Sequence, residues 1–114
     1  MINMETISDP GKLEQMKQVG PLFILFGGEH CSVCHSIRPQ LADMLKKHFE
    51  EMRGVYIDCE ASPEICAQHS VFSLPAVKVY IEGMLVTEDA RAFSLSDLKS
   101  RIERPYKIWI EQRD

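Results

Sequence analysis

Several things are scarce in this chain of 114 residues, and each absence narrows what it can be. There is no basic cluster, and 13 Lys+Arg against 17 Asp+Glu leave a formal net charge of −4, which argues against nucleic acid as a partner. No apolar run approaches the roughly eighteen or more residues that a membrane span needs. Met1-Ile2-Asn3-Met4-Glu5 lacks the basic-then-apolar layout of a secretory signal. No internal repeat, linker or low-complexity segment breaks the chain. The expectation is one domain over residues 1–114, with a core at about 9–103 and a C-terminal extension at 104–114, acting in the cytoplasm as a monomer. A hydrophobic fraction of 45% and a charged fraction of 26% suit an ordinary globular core that needs no staples.

What is present has an order. Asp9-Pro10 reads as a helix start, with Asp9 as cap and Pro10 at the first helical position, and Gly20-Pro21 as its end. Leu22 to Phe26 is short and continuously apolar, as in a strand covered on both faces. From Cys31 to about Glu50 the apolar residues Ile37, Leu41, Met44, Leu45 and Phe49 recur at helical spacing, with Pro39 expected to kink the helix. Val55 to Cys59 reads as a strand, and Ser62-Pro63-Glu64 as a capped helix start. Ala76 to Ile81 and Met84 to Ala90 form a hairpin around Glu82-Gly83, with Lys78 and Tyr80 on its outer side. Ser94 or Ser96 caps a last helix that Pro105 interrupts, leaving Tyr106 to Ile110 to pack beyond the break. Met1 to Ile7 is an edge strand or a lead-in. This alternation predicts a mixed sheet, its early strands parallel and its late hairpin antiparallel, flanked by helices on both faces.

The chemistry centres on Glu29-His30-Cys31-Ser32-Val33-Cys34-His35, where an apolar strand ending in Gly27-Gly28 meets a helix. Two cysteines two residues apart are a redox dithiol or half a zinc site. With Cys31 at the first turn, unpaired backbone N–H groups point at its sulfur and favour thiolate. Cys34, one turn further in, is placed to resolve a mixed disulfide. His30 and His35 are candidate aids to thiolate formation or proton transfer, while the negative charge of Glu29 opposes it. The metal alternative would use His30, Cys31, Cys34 and His35. Sequence neighbours on a helix diverge by about 100°, which cramps a tetrahedral site, so no metal is expected.

With Cys31-Ser32-Val33-Cys34, Pro39 and Phe72-Ser73-Leu74-Pro75 in this order, the chain resembles the thioredoxin family over about residues 9–103. The resemblance implies a thioredoxin-like α/β fold and a thiol–disulfide oxidoreductase acting on protein disulfides. Cys31 would attack and Cys34 resolve. His30, Ser32, Val33, Leu74 and Pro75 would contact the substrate, and the Leu74–Pro75 bond would be cis. It also implies an NADPH-linked reductase or another dithiol protein as electron donor, and no cofactor beyond the Cys31–Cys34 disulfide. The chain departs from the family pattern in several places. Leu25 stands where a buried aspartate is usual and Gly54 where a lysine often accompanies it. His30 and Gly27 replace tryptophans, Ser32-Val33 replaces Gly-Pro, and Arg91 falls at a groove glycine. These departures give weight to an alternative, a binding or co-chaperone module that uses the groove around Pro75 without turnover. Cys59 and Cys66 are expected to be buried thiols, with a second disulfide between strand end and helix as the other reading.

Overall fold

The computed structural model describes residues 4–91 and 94–113. Along the chain these form β1 (Glu5–Thr6), α1 (Pro10–Lys17), β2 (Pro21–Gly27), α2 (Ser32–His48), β3 (Arg53–Asp58), α3 (Pro63–Gln68), β4 (Ala76–Ile81), β5 (Met84–Ala90) and α4 (Leu95–Gln112). The sheet order is β1-β3-β2-β4-β5. β1 and β2 run parallel to β3, whereas β4 is antiparallel to both β2 and β5. Of the expected lead-in, Met1 to Asn3 lie outside the described residues, and the rest supplies the short edge strand β1.

The continuous apolar run of β2 follows from its central place in the sheet. All seven of its residues are buried. Phe23 and Leu25 face a core built with Leu41 and Leu45 of α2 and Leu98 and Ile102 of α4. Leu22, Ile24 and Phe26 face the other layer, with Leu13 and Met16 of α1 and Ile65 of α3. Two-sided burial is what an unalternating strand requires.

The local signals largely act as their chemistry dictates. The Asp9 carboxylate accepts from the Gly11 N–H, and the Ser94 hydroxyl accepts from the Asp97 N–H at 3.2 Å. Glu82 and Gly83 both take positive φ, +50° and +86°, as a two-residue hairpin turn demands.

Four expectations need correction. Ser62 sits at the N-cap of α3, but its side chain makes no capping bond. The helix after the dithiol begins at Ser32, not Cys31. Tyr80 is buried instead of outward-facing, because α1 covers that side of β4 and the Lys17 ammonium lies 4.6 Å from its ring centroid. Pro105 does not interrupt α4. An internal proline costs about 3 kcal/mol, and docking of the following turns offsets it. Tyr106 stacks edge-on against Phe49, and its hydroxyl accepts from the Glu51 N–H at 3.0 Å. The Trp109 indole donates to Glu82 at 2.8 Å. The expected packing of this tail therefore rests on Tyr106 and Trp109, while Ile108 stays exposed.

Candidate active site

β2 delivers the chain to its C-terminal end in the middle of the sheet, Gly27-Gly28 turn it, and Cys31 becomes the N-cap of α2. A side-chain acceptor at this position satisfies one of the helix's unpaired N–H groups. Here the acceptor is sulfur: the Cys34 N–H donates to Cys31 Sγ at 3.2 Å. Cys31 and Cys34 are joined as a disulfide with Cα atoms 5.2 Å apart. Cys31 is partly exposed and Cys34 fully buried, so an incoming sulfur meets Cys31 first. Ser32 and Val33 between them are exposed.

The two histidines are each engaged away from the sulfurs. His30 is exposed, and Glu60 holds it twice, through the His30 N–H at 3.0 Å and Nδ1 at 2.8 Å. Those bonds, the backbone one foremost, keep the Glu60 carboxyl below its usual pKa. His35 Nε2 donates to the Glu29 carbonyl at 2.8 Å, an assignment that follows from the carbonyl being able only to accept. Glu29 thus enters the site through its backbone. Nothing near His30 in sequence announces Glu60. The Gly27–Asp58 register, which sets the ends of β2 and β3 side by side, is what brings it there.

Behind the disulfide, Leu25 is fully buried and pairs in register with Tyr56 on β3. The space above Gly27 is shared by two side chains. A Cβ placed on Gly27 would stand 2.5 Å from the Tyr56 hydroxyl and 3.0 Å from Cys34 Cβ. Gly27 is therefore required by close approach. The Arg38 guanidinium lies 4.1 Å from the Tyr56 ring centroid. Burial raises the Tyr56 phenol above its usual pKa, Asp58 and Glu60 push it the same way, and Arg38 opposes them. Sequence reading overlooked Tyr56. What singles it out is its register opposite Leu25, which the pairing of β2 with β3 sets and the sequence does not show.

The Leu74–Pro75 bond is cis and Pro75 is buried. Leu74 is partly buried and packs inward against the layer containing Phe26. Phe72 is 84% exposed. It borders an open cleft of about 310 Å³ with Ser73, Ala76 and Ala90. Arg91 takes φ +71°, the left-handed region that favours the glycine usual there. Its N–H donates to the Pro75 carbonyl at 2.7 Å.

Cys59 and Cys66, expected as buried thiols, form a second disulfide with Cα atoms 5.7 Å apart. The reason is local. The Asp58 carboxylate accepts from the Glu60 and Ala61 N–H groups at 2.9 and 3.2 Å, and this turns the chain back onto α3. Cys59, whose N–H donates to the Gly27 carbonyl at 2.7 Å, then faces Cys66. Among the described residues no group of three or more His, Cys, Asp or Glu side chains is arranged to hold a metal ion.

Comparisons with known proteins agree with this geometry. The family model for thioredoxin matches residues 12–104. The thioredoxin-like protein YdfQ of Bacillus subtilis is 28% identical over 87 residues, covering 76% of this chain and 77% of that protein. Thioredoxin 1 from Thermosipho africanus superposes with a TM-score of 0.70 at 29% identity, over 76% of this chain and 96% of its own. The thioredoxin of Plasmodium falciparum shares the fold with a TM-score of 0.78 at 22% identity, over 89% of this chain and 98% of its own. A strand-to-helix disulfide capping its own helix, on this sheet order and with this match, has one reading: the chain belongs to the thioredoxin family of thiol–disulfide oxidoreductases.

Proposed function

We propose that the protein exchanges electrons with protein disulfides through Cys31 and Cys34, each in a distinct role. Cys31 thiolate attacks one sulfur of a substrate disulfide. The Cys31–substrate bond forms, the substrate S–S bond breaks, and the other substrate sulfur leaves as a thiolate that takes a proton from solvent. Cys34 then attacks Cys31 Sγ, closes the Cys31–Cys34 bond and releases the second substrate thiol. The observation that carries this reading is the Cys34 N–H aimed at Cys31 Sγ, with Cys34 buried behind it. Donors already fixed at a sulfur stabilise its thiolate without reorganisation.

His30, Ser32, Val33, Leu74 and Pro75 flank the path of the substrate chain, and the cleft beside Phe72 gives that chain room. Electrons come from an NADPH-linked reductase or another dithiol protein, and the active-site disulfide serves with no bound cofactor. Such a donor places the reaction in a reducing compartment, the cytoplasm, and the protein acts there as a monomer. Leu25 in place of a carboxylate makes it an atypical member.

Insulin reduction driven by dithiothreitol tests the reading. Substoichiometric protein accelerates precipitation of the insulin B chain, and Cys31→Ser does not. Equal rates with and without the wild-type protein would contradict it and leave a binding module as the better description.

A further inference from the structure

The reading above leaves the resolving thiol without a partner for its charge. Cys34 is fully buried, and the residue that would offer a carboxylate is Leu25, also fully buried. Burial of a thiol in apolar surroundings disfavours its thiolate, so an unaided Cys34 would attack slowly near neutral pH. The histidines are committed elsewhere, His30 to Glu60 and His35 Nε2 to the Glu29 carbonyl.

One polar group lies beside the Cys34 side chain and would need only a shift of the freed sulfur to bond it. A single added methyl on Gly27 would collide with the Tyr56 hydroxyl at 2.5 Å and with Cys34 Cβ at 3.0 Å, so the hydroxyl and the Cys34 β-carbon border the same space over that glycine. Only a residue without a side chain leaves this room. The charges of Asp58, Arg38 and Glu60 surround the Tyr56 phenol, which burial holds in its protonated form. Arg38, stacked on the ring, also donates to the Met4 carbonyl and Thr6 hydroxyl of the β1 edge, which fixes the phenol in place.

We infer that Tyr56 is the hydrogen-bond donor that stabilises the Cys34 thiolate during resolution, a role that rests on the oxidoreductase reading and adds a residue to it. The phenol transfers no proton. A raised phenol pKa keeps it protonated, hence a donor, throughout the range in which a thiol ionises. The Cys34 proton leaves to solvent. The thiolate, held by Tyr56 Oη–H, attacks Cys31 Sγ, forms the Cys31–Cys34 bond and expels the substrate sulfur with the bonding pair. The charged groups facing this pair are Arg38 from α2 and Asp58 and Glu60 from the end of β3 and the turn after it. β2 contributes Leu25 and Gly27, neither of which ionises.

The test uses the mixed disulfide of Cys31 with 5-thio-2-nitrobenzoate, whose release by Cys34 is followed by stopped flow across pH. A hydrogen bond to a charged group is worth enough that Tyr56→Phe raises the pH midpoint of release by about one unit, a tenfold loss of thiolate below it. The more basic thiolate is also about threefold more nucleophilic. The variant is therefore about threefold slower than wild type below the midpoint and about threefold faster above it, and the two profiles cross. A structural disturbance would move both limbs the same way. Parallel or superimposed profiles overturn the Tyr56 inference while leaving the dithiol reading intact. No release by the wild type would sink both. A second measurement needs no truncation. Uniform 3-fluorotyrosine, a stronger phenolic donor, lowers the midpoint, since of the three tyrosines Tyr80 lies in the opposite core layer and Tyr106 packs on Phe49. An unmoved midpoint in that protein also overturns the inference.

Discussion

The molecule carries two disulfides of similar span, with Cα separations of 5.2 Å for Cys31–Cys34 and 5.7 Å for Cys59–Cys66. In each, one cysteine is partly exposed and the other buried. Burial does not distinguish them, but their places in the fold do. Cys31 opens a 17-residue helix and takes a backbone N–H on its sulfur. Cys66 lies inside a six-residue helix, and Cys59 precedes it in a turn held by the Asp58 carboxylate. A sulfur at the start of a long helix has fixed donors waiting for negative charge, whereas a sulfur bridging a turn to a short helix has a constraint to impose. The comparison teaches that a cysteine pair gains a chemical role from the backbone dipoles around it more than from being a pair.

The largest way to break this contrast is to remove the sulfurs one pair at a time. Cys31→Ser should drop insulin reduction to the uncatalysed background. The Cys59→Ala, Cys66→Ala double variant should retain turnover within about twofold, because neither sulfur meets substrate in this account. Residual turnover in the first or its loss in the second would reverse the assignment.

Next in size is the core behind the active pair. Leu25→Asp buries a carboxyl in an apolar layer, and chemical denaturation should show a loss of about 3 kcal/mol or more. The same carboxylate offers Cys34 a base, so release of a mixed disulfide at pH 7 should quicken by at least about tenfold. A variant as stable as wild type and no faster would break this part of the account.

The second pair should show its role in stability. Opening a loop of that length costs about 2.5 kcal/mol in the chain-entropy picture, which for a domain of this size lowers Tm by on the order of 10 °C. Calorimetry of the double alanine variant measures it, and an unchanged Tm would mean the bridge constrains nothing.

The smallest effect sharpens the comparison near the second pair. His69, three residues after Cys66, is buried, and its Nδ1 donates to the Ile65 carbonyl at 2.8 Å. Nε2 is then an acceptor for the Lys17 ammonium at 3.1 Å. Burial foremost holds His69 below its ordinary pKa of 6.5, with the Lys17 and Lys78 charges acting the same way and the Ile65 bond and Glu14 opposing. The unfolded chain therefore binds a proton that the folded chain resists. The stability from neutral His69 is complete above about 6.5 and declines as pH falls below it. His69→Asn, which keeps the donor to Ile65, should flatten the decline in denaturant midpoint between pH 7 and 5. An equally steep decline would place the titration elsewhere.

Much of this contrast was legible before the fold was known. The apolar run ending in Gly27-Gly28, the spacing of Cys31 and Cys34 and the order of Pro75 after them are local patterns, and they locate the strand-to-helix junction. Leu25 could be seen to lack a titratable group for the same reason. The Cys59–Cys66 bond was not legible, since it depends on how the Asp58 carboxylate folds the turn and not on any spacing rule. Tyr56 and Glu60 were hidden because parallel pairing of β2 with β3 brings together residues about thirty positions apart. Pro105 misled because local cost is visible in sequence and the compensating docking of Tyr106 and Trp109 is tertiary.

Site-resolved alkylation of the fully reduced protein compares the two pairs most directly. With limiting iodoacetamide at pH 7, followed by peptide mapping, Cys31 should be labelled at least about tenfold faster than Cys34, Cys59 or Cys66, because it alone combines exposure with a backbone donor on its sulfur. Labelling of Cys59 or Cys66 ahead of Cys31, or one common rate for all four, would contradict the claim that the helix start makes the attacking thiol.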